Sequence, residues 1–371
     1  MSTTVRGEAI RQKFDERYWV IHGVSYDLTE FAKKHPGGEH ILYLGKGRDC
    51  TELFESVHAI AGMDKPRQIL GKYAVQSEPK KLEMFKWEEN GFYSVVRKRV
   101  EEHFVGKNYK ATWGVYLKLA ILLFINQYCW INAFLTGNFW WAILSGIATE
   151  MIGFCLMHDS SHYAVSKKPF VNYIGLLWSS WTLWNHWLWM QHHCYGHHSY
   201  TGIYGKDPDI HNAEIFLRKH YKMKKKAFTP FQKWYTWFLL TIFPNQHIGQ
   251  AILYQVTPRL SKKVFITPTV DPPKIISYHS YAVMTLSFVW HLLVPLYFQS
   301  LSTVLLLWFC NYTMMGISYF LNVAPNHDME STLRNHPDHG VILDWGEHQV
   351  FSFFLNPKTV ILIFIIFLPN R

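Results

Sequence analysis

The sequence is short of charge. Only 17% of its 371 residues are Asp, Glu, Lys or Arg, whereas 49% are hydrophobic and 17% are aromatic. An average soluble domain carries about 25% charged residues, so the deficit excludes an intrinsically disordered chain and a conventional water-soluble enzyme of this size. The length also exceeds what a single hydrophobic core usually holds, and more than one domain is therefore predicted.

Cysteine pairs and a secretion signal are missing as well. The five cysteines are odd in number and form no C-x-x-C motif, so neither a disulfide framework nor a zinc ribbon is expected, and a reducing compartment fits. No apolar signal-peptide core occurs near the N-terminus, which is predicted to stay in the cytosol. Histidine, by contrast, occurs 21 times, and this surplus indicates a metal protein.

The missing charge is concentrated in two long stretches. Residues 119–149 and 275–327 contain no Asp, Glu, Lys or Arg. Each stretch is interrupted by a turn signal, and each half is close to the roughly 20 apolar residues that a helix needs to cross a bilayer. We therefore predict four transmembrane helices in two hairpins, near residues 113–136, 139–157, 277–299 and 301–323.

Two hairpins would place the N-terminus, the middle segment and the C-terminus on one side, the cytosol. Two further uncharged stretches, 169–205 and 234–258, are interpreted as interfacial or partly inserted helices, because the first is rich in His and Trp and the second contains Pro244. The basic run at 218–226 lies between the hairpins, as the positive-inside tendency favours. The net charge of +10 then reflects a membrane surface, and no nucleic-acid partner is expected.

Two histidines near the N-terminus are suited to hold a flat cofactor. His35 opens the motif H-P-G-G, whose proline and glycines predict a tight turn, and His58 follows after a mixed polar and apolar segment. Two imidazoles on opposite walls of a pocket can occupy both axial positions of a haem iron, which then carries electrons without binding oxygen. The motifs WVIHGVSYDLTEF, HPGG and FESVH resemble cytochrome b5 over about residues 10–76. By that resemblance His35 and His58 are the axial ligands of haem b.

The later part of the chain carries histidines at helical spacing. His158 and His162 are four positions apart, His193 and His197 repeat that spacing, and His198 is adjacent. Positions four apart share one face of an α-helix, so each group can bind a metal. Imidazole suits iron, copper, nickel and zinc, and the absence of H-E-x-x-H gives a zinc peptidase no support. Fusion to an electron carrier favours a redox metal, and hence iron.

The motifs HDSSH, QHHCYGHHSYTG, DPDI and ILDWGEHQV resemble the membrane fatty acyl desaturases, and the fused cytochrome b5 is typical of the front-end desaturases. The resemblance, over about residues 10–353, implies oxygen-dependent insertion of a cis double bond toward the carboxyl end of a polyunsaturated acyl-CoA or acyl-phospholipid. It further implies two iron ions, electrons from NADH through cytochrome b5 reductase, and the endoplasmic reticulum membrane. The implied catalytic iron ligands are His158, His162, His193, His197 and His198, with His327 a further metal candidate. Four carboxylates are candidates for orienting these imidazoles: Glu150, Asp159, Asp207 and Asp209.

The family's third histidine group, Q-x-x-H-H, does not follow the WGEHQ segment, and three hypotheses stay open. The first hypothesis is that the chain is a truncated front-end desaturase. The second is an active desaturase or hydroxylase, with a lipid hydroxylase and a sphingolipid desaturase among the alternatives. The third is an inactive, membrane-bound b5-type electron carrier. In the second hypothesis the metal site would be completed by His327, His336, His339 and His348. Apart from that hypothesis we assign no role to His348, and we expect none for His192 or Cys194.

The predicted fold is a small α+β cytochrome b5-like domain followed by an all-α membrane domain with four transmembrane helices in two hairpins. The expected boundaries are residues 10–76 for the haem-binding domain, 77–110 for a linker with an amphipathic helix, 111–354 for an incomplete desaturase domain, and 355–371 for a divergent tail.

Overall fold

A computed structural model of the chain describes residues 14–60, 62, 64–76, 84–256, 270–327 and 343–352. In these ranges a small α+β domain precedes a helical domain, and the predicted fold class is confirmed. The candidate ligands His336 and His339 and the tail 355–371 lie outside the described residues. His327 ends a described helix, but its side chain is not among the described ones.

The N-terminal domain is built around one short hairpin. Strands Trp19–Ile21 and Val24–Tyr26 are antiparallel, with Trp19 opposite Tyr26. Trp19 is 1% exposed and packs with Leu28 and Leu44 in the core. Four short helices follow and enclose the candidate haem pocket: Thr29–Ala32, Glu39–Tyr43, Thr51–Val57 and Asp64–Gly71.

Four of the described helices are long and apolar enough to cross a membrane, and we call them the first to fourth spans: Trp113–Thr136, Phe139–Ser161, Lys274–Leu296 and Leu301–Val323. The first and fourth have the predicted bounds. The second continues beyond residue 157, because a π-helical turn, Gly153–His158, carries it directly into the helical turn Asp159–Ser161. The third begins and ends earlier than predicted, at Lys274 and Leu296. Pro273 caps this helix at its start, and a terminal lysine can extend its ammonium group to the membrane surface.

Close backbone contact and buried hydrogen bonds hold the spans together. Gly137 joins the first two spans in a left-handed conformation, with φ of 70°, which glycine adopts without strain. The Asn126 amide donates to the hydroxyl of Thr149 at 2.8 Å. A Cβ atom at Gly146 would overlap the carbonyl oxygen of Asn311, so this glycine lets the second and fourth spans meet backbone to backbone.

The remaining helices are shorter or less apolar than the four spans. Helix Gln232–Val256 contains Pro244 and contacts the fourth span, where the Thr313 hydroxyl donates to the Thr241 carbonyl at 3.1 Å. Its interfacial position in a membrane stays a prediction. The other elements, α-helical, π-helical or 3-10, are Phe92–Phe104, Pro169–Leu176, Trp178–Trp181, His186–Trp189, Met190–His197, His198–Tyr200, Thr229–Phe231 and Trp345–Ser352.

One hydrophobic core runs through both domains. Trp19 and Leu44 of the N-terminal domain belong to the same buried cluster as Leu176, Trp187 and Tyr195 of the helical domain. The N-terminal domain is therefore packed onto the helical domain over a buried apolar surface, and this packing places it beside the histidine groups described next.

Candidate haem and metal sites

The rings of His35 and His58 lie at a separation that would accommodate one metal ion between them. Their centroids lie 6.2 Å apart and their planes are inclined by 81°. Two metal–nitrogen bonds of about 2.0 Å and two ring radii of about 1.2 Å require a separation of about 6.4 Å. Each Nδ1–H donates to a backbone carbonyl, that of Gly38 for His35 at 3.2 Å and that of Phe54 for His58 at 2.8 Å. Nε2 is therefore the atom with which each ring would bind a metal, and the pair fits haem iron.

The turn after His35 explains the two glycines of H-P-G-G. A Cβ atom at Gly37 would lie 2.9 Å from Cε1 of His35. Gly38 has φ of 95°, a conformation that other residues rarely adopt. Burial lowers the pKa of both His35 and His58, which keeps the imidazoles neutral, as binding to iron requires.

Four of the five predicted iron ligands form one group, which we call the histidine cluster: His158, His162, His193 and His198, with ligand atoms all within 4.8 Å of one another. Nε2 of His193 lies 3.2 Å from Nε2 of His162 and 3.0 Å from Nε2 of His198. Nitrogens bound to one metal at about 2.1 Å, in adjoining positions, lie about 3.0–3.4 Å apart. Burial lowers the pKa of His162 to about 3, so the ring stays neutral. The cluster therefore fits a metal ion.

The composition of the cluster depends on a π-helical turn. His158 and His162 are joined by an α-type hydrogen bond, from the His162 amide to the His158 carbonyl, and share a face as predicted. The second group lies in a π-helix, Met190–His197, whose backbone hydrogen bonds join residues five positions apart rather than four. His193 lies closer to His198, with ring centroids 4.4 Å apart, than to His197, at 5.8 Å, and His197 is grouped with Asp207 and Asp209 instead. The predicted pairing of His193 with His197 assumed α-helical geometry, which this segment does not have.

His197 is held by two carboxylates next to the cluster. It is 2% exposed, and its Nδ1 lies 3.1 Å from Asp207 Oδ1 and 3.3 Å from Asp209 Oδ2. Nδ1–H therefore donates to the carboxylates, and Nε2 is the atom with which His197 would bind a metal. Its ring centroid lies 5.4 Å from that of His198, so a metal bound to His197 would lie beside the cluster.

The structure gives roles to some residues that the sequence left aside. His192 binds Asp209 through Nε2 at 2.6 Å and so anchors the carboxylate that holds His197; the expectation of no role was wrong. Asp159 accepts from Nδ1 of His158 at 3.2 Å. Glu150 has no contact with the cluster among those described. His348 is not a member of the histidine cluster; its Nε2 donates to a backbone carbonyl, that of Thr201, at 2.9 Å.

Removing the charge at Asp207 is expected to weaken metal binding. In Asp207→Asn the amide is a poorer acceptor for the Nδ1–H of His197, and changes of this kind cost about 10–100-fold in metal affinity. Titration of metal-free protein with ferrous iron measures the effect. Asp64→Asn, an exposed carboxylate of the N-terminal domain, serves as the control and should bind iron as the parent does. Equal affinity in both variants would contradict the role of Asp207.

The two sites are joined by contacts between the domains. Nε2 of His40, in the helix that follows the H-P-G-G turn, is 2.9 Å from the hydroxyl of Tyr163, the residue after His162. On the other side, the guanidinium of Arg48 lies 3.6 Å from the ring centre of Tyr195, within the second histidine group. Arg48 is 6% exposed, so this cation–π contact is shielded from water.

Loss of the Arg48 charge is expected to loosen the packing of the two domains. A desolvated cation–π contact contributes about 2 kcal/mol, so Arg48→Met should lower the free energy of unfolding by about that amount and speed proteolysis between the domains. Arg17→Met is the matched control, because Arg17 also lies over a ring, that of Tyr18 at 5.0 Å, but its side chain is 74% exposed. If both variants unfold like the parent, Arg48 does not secure the interface.

Two models of known protein families match this chain. The model of the fatty acid desaturase family matches residues 134–355. The model of the cytochrome b5-like heme/steroid binding domain matches residues 8–107. The chain therefore belongs to the fatty acid desaturase family and carries a fused cytochrome b5-like domain, and the predicted class of enzyme, an acyl desaturase, is confirmed. No solved structure matches the chain significantly.

Curated relatives include desaturases of a slime mould and a fungus. A probable Delta(5) fatty acid desaturase C of Dictyostelium discoideum is 28% identical over 361 residues, 90% of this chain and 75% of that protein. An acyl-lipid (8-3)-desaturase of Mortierella alpina is 30% identical over 360 residues, 90% of this chain and 76% of that protein. Acyl-lipid (8-3)-desaturase B of Dictyostelium discoideum is 32% identical over 256 residues, but only 50% of its length is covered.

Proposed function

We propose that this protein is a front-end desaturase, which inserts a cis double bond between an existing double bond and the carboxyl end of a polyunsaturated acyl chain. The observation that carries the proposal is the histidine cluster, four converging imidazoles beside a packed cytochrome b5-like domain. Similarity to Delta(5) and (8-3) desaturases supports the front-end position of the new bond. The substrate is an acyl-CoA or an acyl-phospholipid.

The donor set favours two iron ions. The histidine cluster would hold one ion, while His197 and His327, the last residue of helix Leu301–His327, would contribute to the second. Imidazole is a good ligand for iron, and the reaction requires a redox metal. Bound iron would supply the oxygen activation that removes hydrogen from an unactivated methylene. Burial lowers the pKa of His162 and of His193, which keeps these two imidazoles neutral, and Asp207 and Asp209 hold the Nδ1 proton of His197.

The reaction also needs electrons, which we assign to the N-terminal domain. Conversion of CH2–CH2 and O2 to CH=CH and two waters consumes two electrons and two protons. Haem b between His35 and His58 would carry the electrons singly from NADH, by way of a cytochrome b5 reductase. The contact of His40 with Tyr163 supports this role, because it joins the turn that holds His35 to the residue after His162.

The membrane arrangement follows from the two hairpins. We propose an endoplasmic reticulum protein with the N-terminus and both histidine groups in the cytosol. The basic run at 218–226, between the hairpins, supports that side. We keep the predicted division into a haem-binding domain at 10–76, a linker and amphipathic helix at 77–110, a desaturase domain at 111–354 and a divergent segment at 355–371.

Expression in yeast supplied with polyunsaturated fatty acids tests the proposal. We expect gas chromatography with mass spectrometry of the fatty-acid esters to show a new double bond on the carboxyl side of an existing one. His193→Ala, expressed at the same level, should give no product. A normal haem spectrum without any product would contradict the proposal and favour an electron carrier, whereas a hydroxylated product would favour a hydroxylase.

A further inference from the structure

The last described helix, Trp345–Ser352, lies against the end of the second histidine group. The histidines of that group lie in two consecutive helical elements, Met190–His197 and His198–Tyr200, and the second of these ends the helical segment. The final carbonyl groups of a helix have no partner within the helix and must be satisfied from elsewhere. Here side chains that follow about 150 positions later in the sequence supply the donors.

One face of helix Trp345–Ser352 provides these donors. Nε2 of Gln349 donates to the His198 carbonyl at 3.0 Å, and Nε1 of Trp345 donates to that of Ser199 at 3.3 Å. Nε2 of His348 and the hydroxyl of Ser352 both donate to the Thr201 carbonyl, at 2.9 and 3.3 Å. Positions 345, 348, 349 and 352 share one face of an α-helix. All four side chains of this face therefore donate to backbone carbonyl groups at residues 198–201, at the end of the second histidine group.

Contacts with residues 85–93, which follow the N-terminal domain, hold the helix in place. Asp344 accepts from the amides of Gly346 at 2.8 Å and of Tyr93 at 3.0 Å. The Trp345 ring stacks on Trp87 at 5.5 Å, and His348 is fully buried against Phe85, with ring centroids 5.1 Å apart. The helix thus stands between the linker that follows the N-terminal domain and the backbone of the metal ligands.

We propose that helix Trp345–Ser352 is a clamp that sets the direction of the metal ligands, with His348 and Gln349 as its positioning residues. The carbonyl that Gln349 holds belongs to His198, a cluster ligand. The Thr201 residue that His348 holds also donates, through its hydroxyl, to the carbonyl of His197 at 2.8 Å. Because the direction of an imidazole follows its own backbone, the clamp acts on both ligands through the main chain. The inference rests on the proposed metal centre.

The test uses cobalt(II) as the metal probe, because its visible absorption reports both affinity and coordination geometry. His348→Leu and Gln349→Met keep the volume and remove the donor. We expect cobalt to bind about 10–100-fold more weakly, the range for groups that orient ligands, with a changed absorption band. His348→Gln, which retains an N–H donor, should restore the band and most of the affinity. Val350→Ala, on the exposed face of the same helix, should match the parent.

Other results have distinct meanings. The reduced-minus-oxidised haem spectrum should stay normal in every variant, which shows that the chain is folded. Parent-like affinity and absorption in His348→Leu and Gln349→Met would overturn the clamp and leave the desaturase proposal standing. If cobalt bound the parent no better than His193→Ala, the metal centre and the clamp would both fail. A band that His348→Gln did not restore would also contradict the assignment of His348.

Discussion

Replacement of His193 by alanine is expected to weaken metal binding at the histidine cluster by roughly a factor of 100. His193 is central in the cluster, with Nε2 at 3.2 Å from that of His162 and 3.0 Å from that of His198. Structural zinc sites with four ligands bind with about 10–16 kcal/mol, or about 3 kcal/mol a ligand, so one ligand is worth roughly a factor of 100 in affinity. Iron content of the purified protein, by elemental analysis, measures the effect, and desaturase product should vanish with the iron.

Cys194→Ser is the matched control for this variant. Cys194 is the next residue and is 6% exposed, yet its thiol points to the Ser161 carbonyl and not to the cluster. A hydroxyl can make the same contact, so iron content should be unchanged. Full iron occupancy in His193→Ala would show that the cluster does not hold the metal.

Alanine at His58 is expected to remove the haem. One axial bond would be lost, and the remaining ring, His35, would face an open position instead of a second imidazole. The absorption bands of a six-coordinate haem in the reduced-minus-oxidised spectrum should disappear, and His35→Ala should behave in the same way.

His40→Gln provides the comparison for the haem variants. His40 lies in the helix after the same turn, but its Nε2 contacts Tyr163 and not His58, so the haem spectrum should persist. A spectrum that survived in His58→Ala and His35→Ala would refute the axial assignment, whereas loss in all three variants would point to misfolding of the turn.

Much of this arrangement could be predicted, because its signals are local. Absence of charge located the spans, and H-P-G-G with a later histidine identified the candidate haem pair. The register of the second histidine group could not be predicted, because the apolar residues of this segment fit an α-helical turn and a π-helical turn equally well. That choice decides whether His197 or His198 joins His193.

Contacts between distant segments lay beyond the sequence for another reason. Nothing near Arg48 indicates that it will lie on Tyr195, and nothing near His348 indicates the Thr201 carbonyl. Such pairs are selected by the packing of the whole chain.

The buried Arg48 has a consequence for the kinetics of the proposed reaction. A carrier attached and packed in this way delivers electrons within one molecule, so the delivery step is first order and its rate does not fall when the protein is diluted in the membrane. The reductase, by contrast, must collide with a haem domain that is already seated. Under the proposal, the amount of reductase rather than of carrier would therefore limit the rate of the overall reaction.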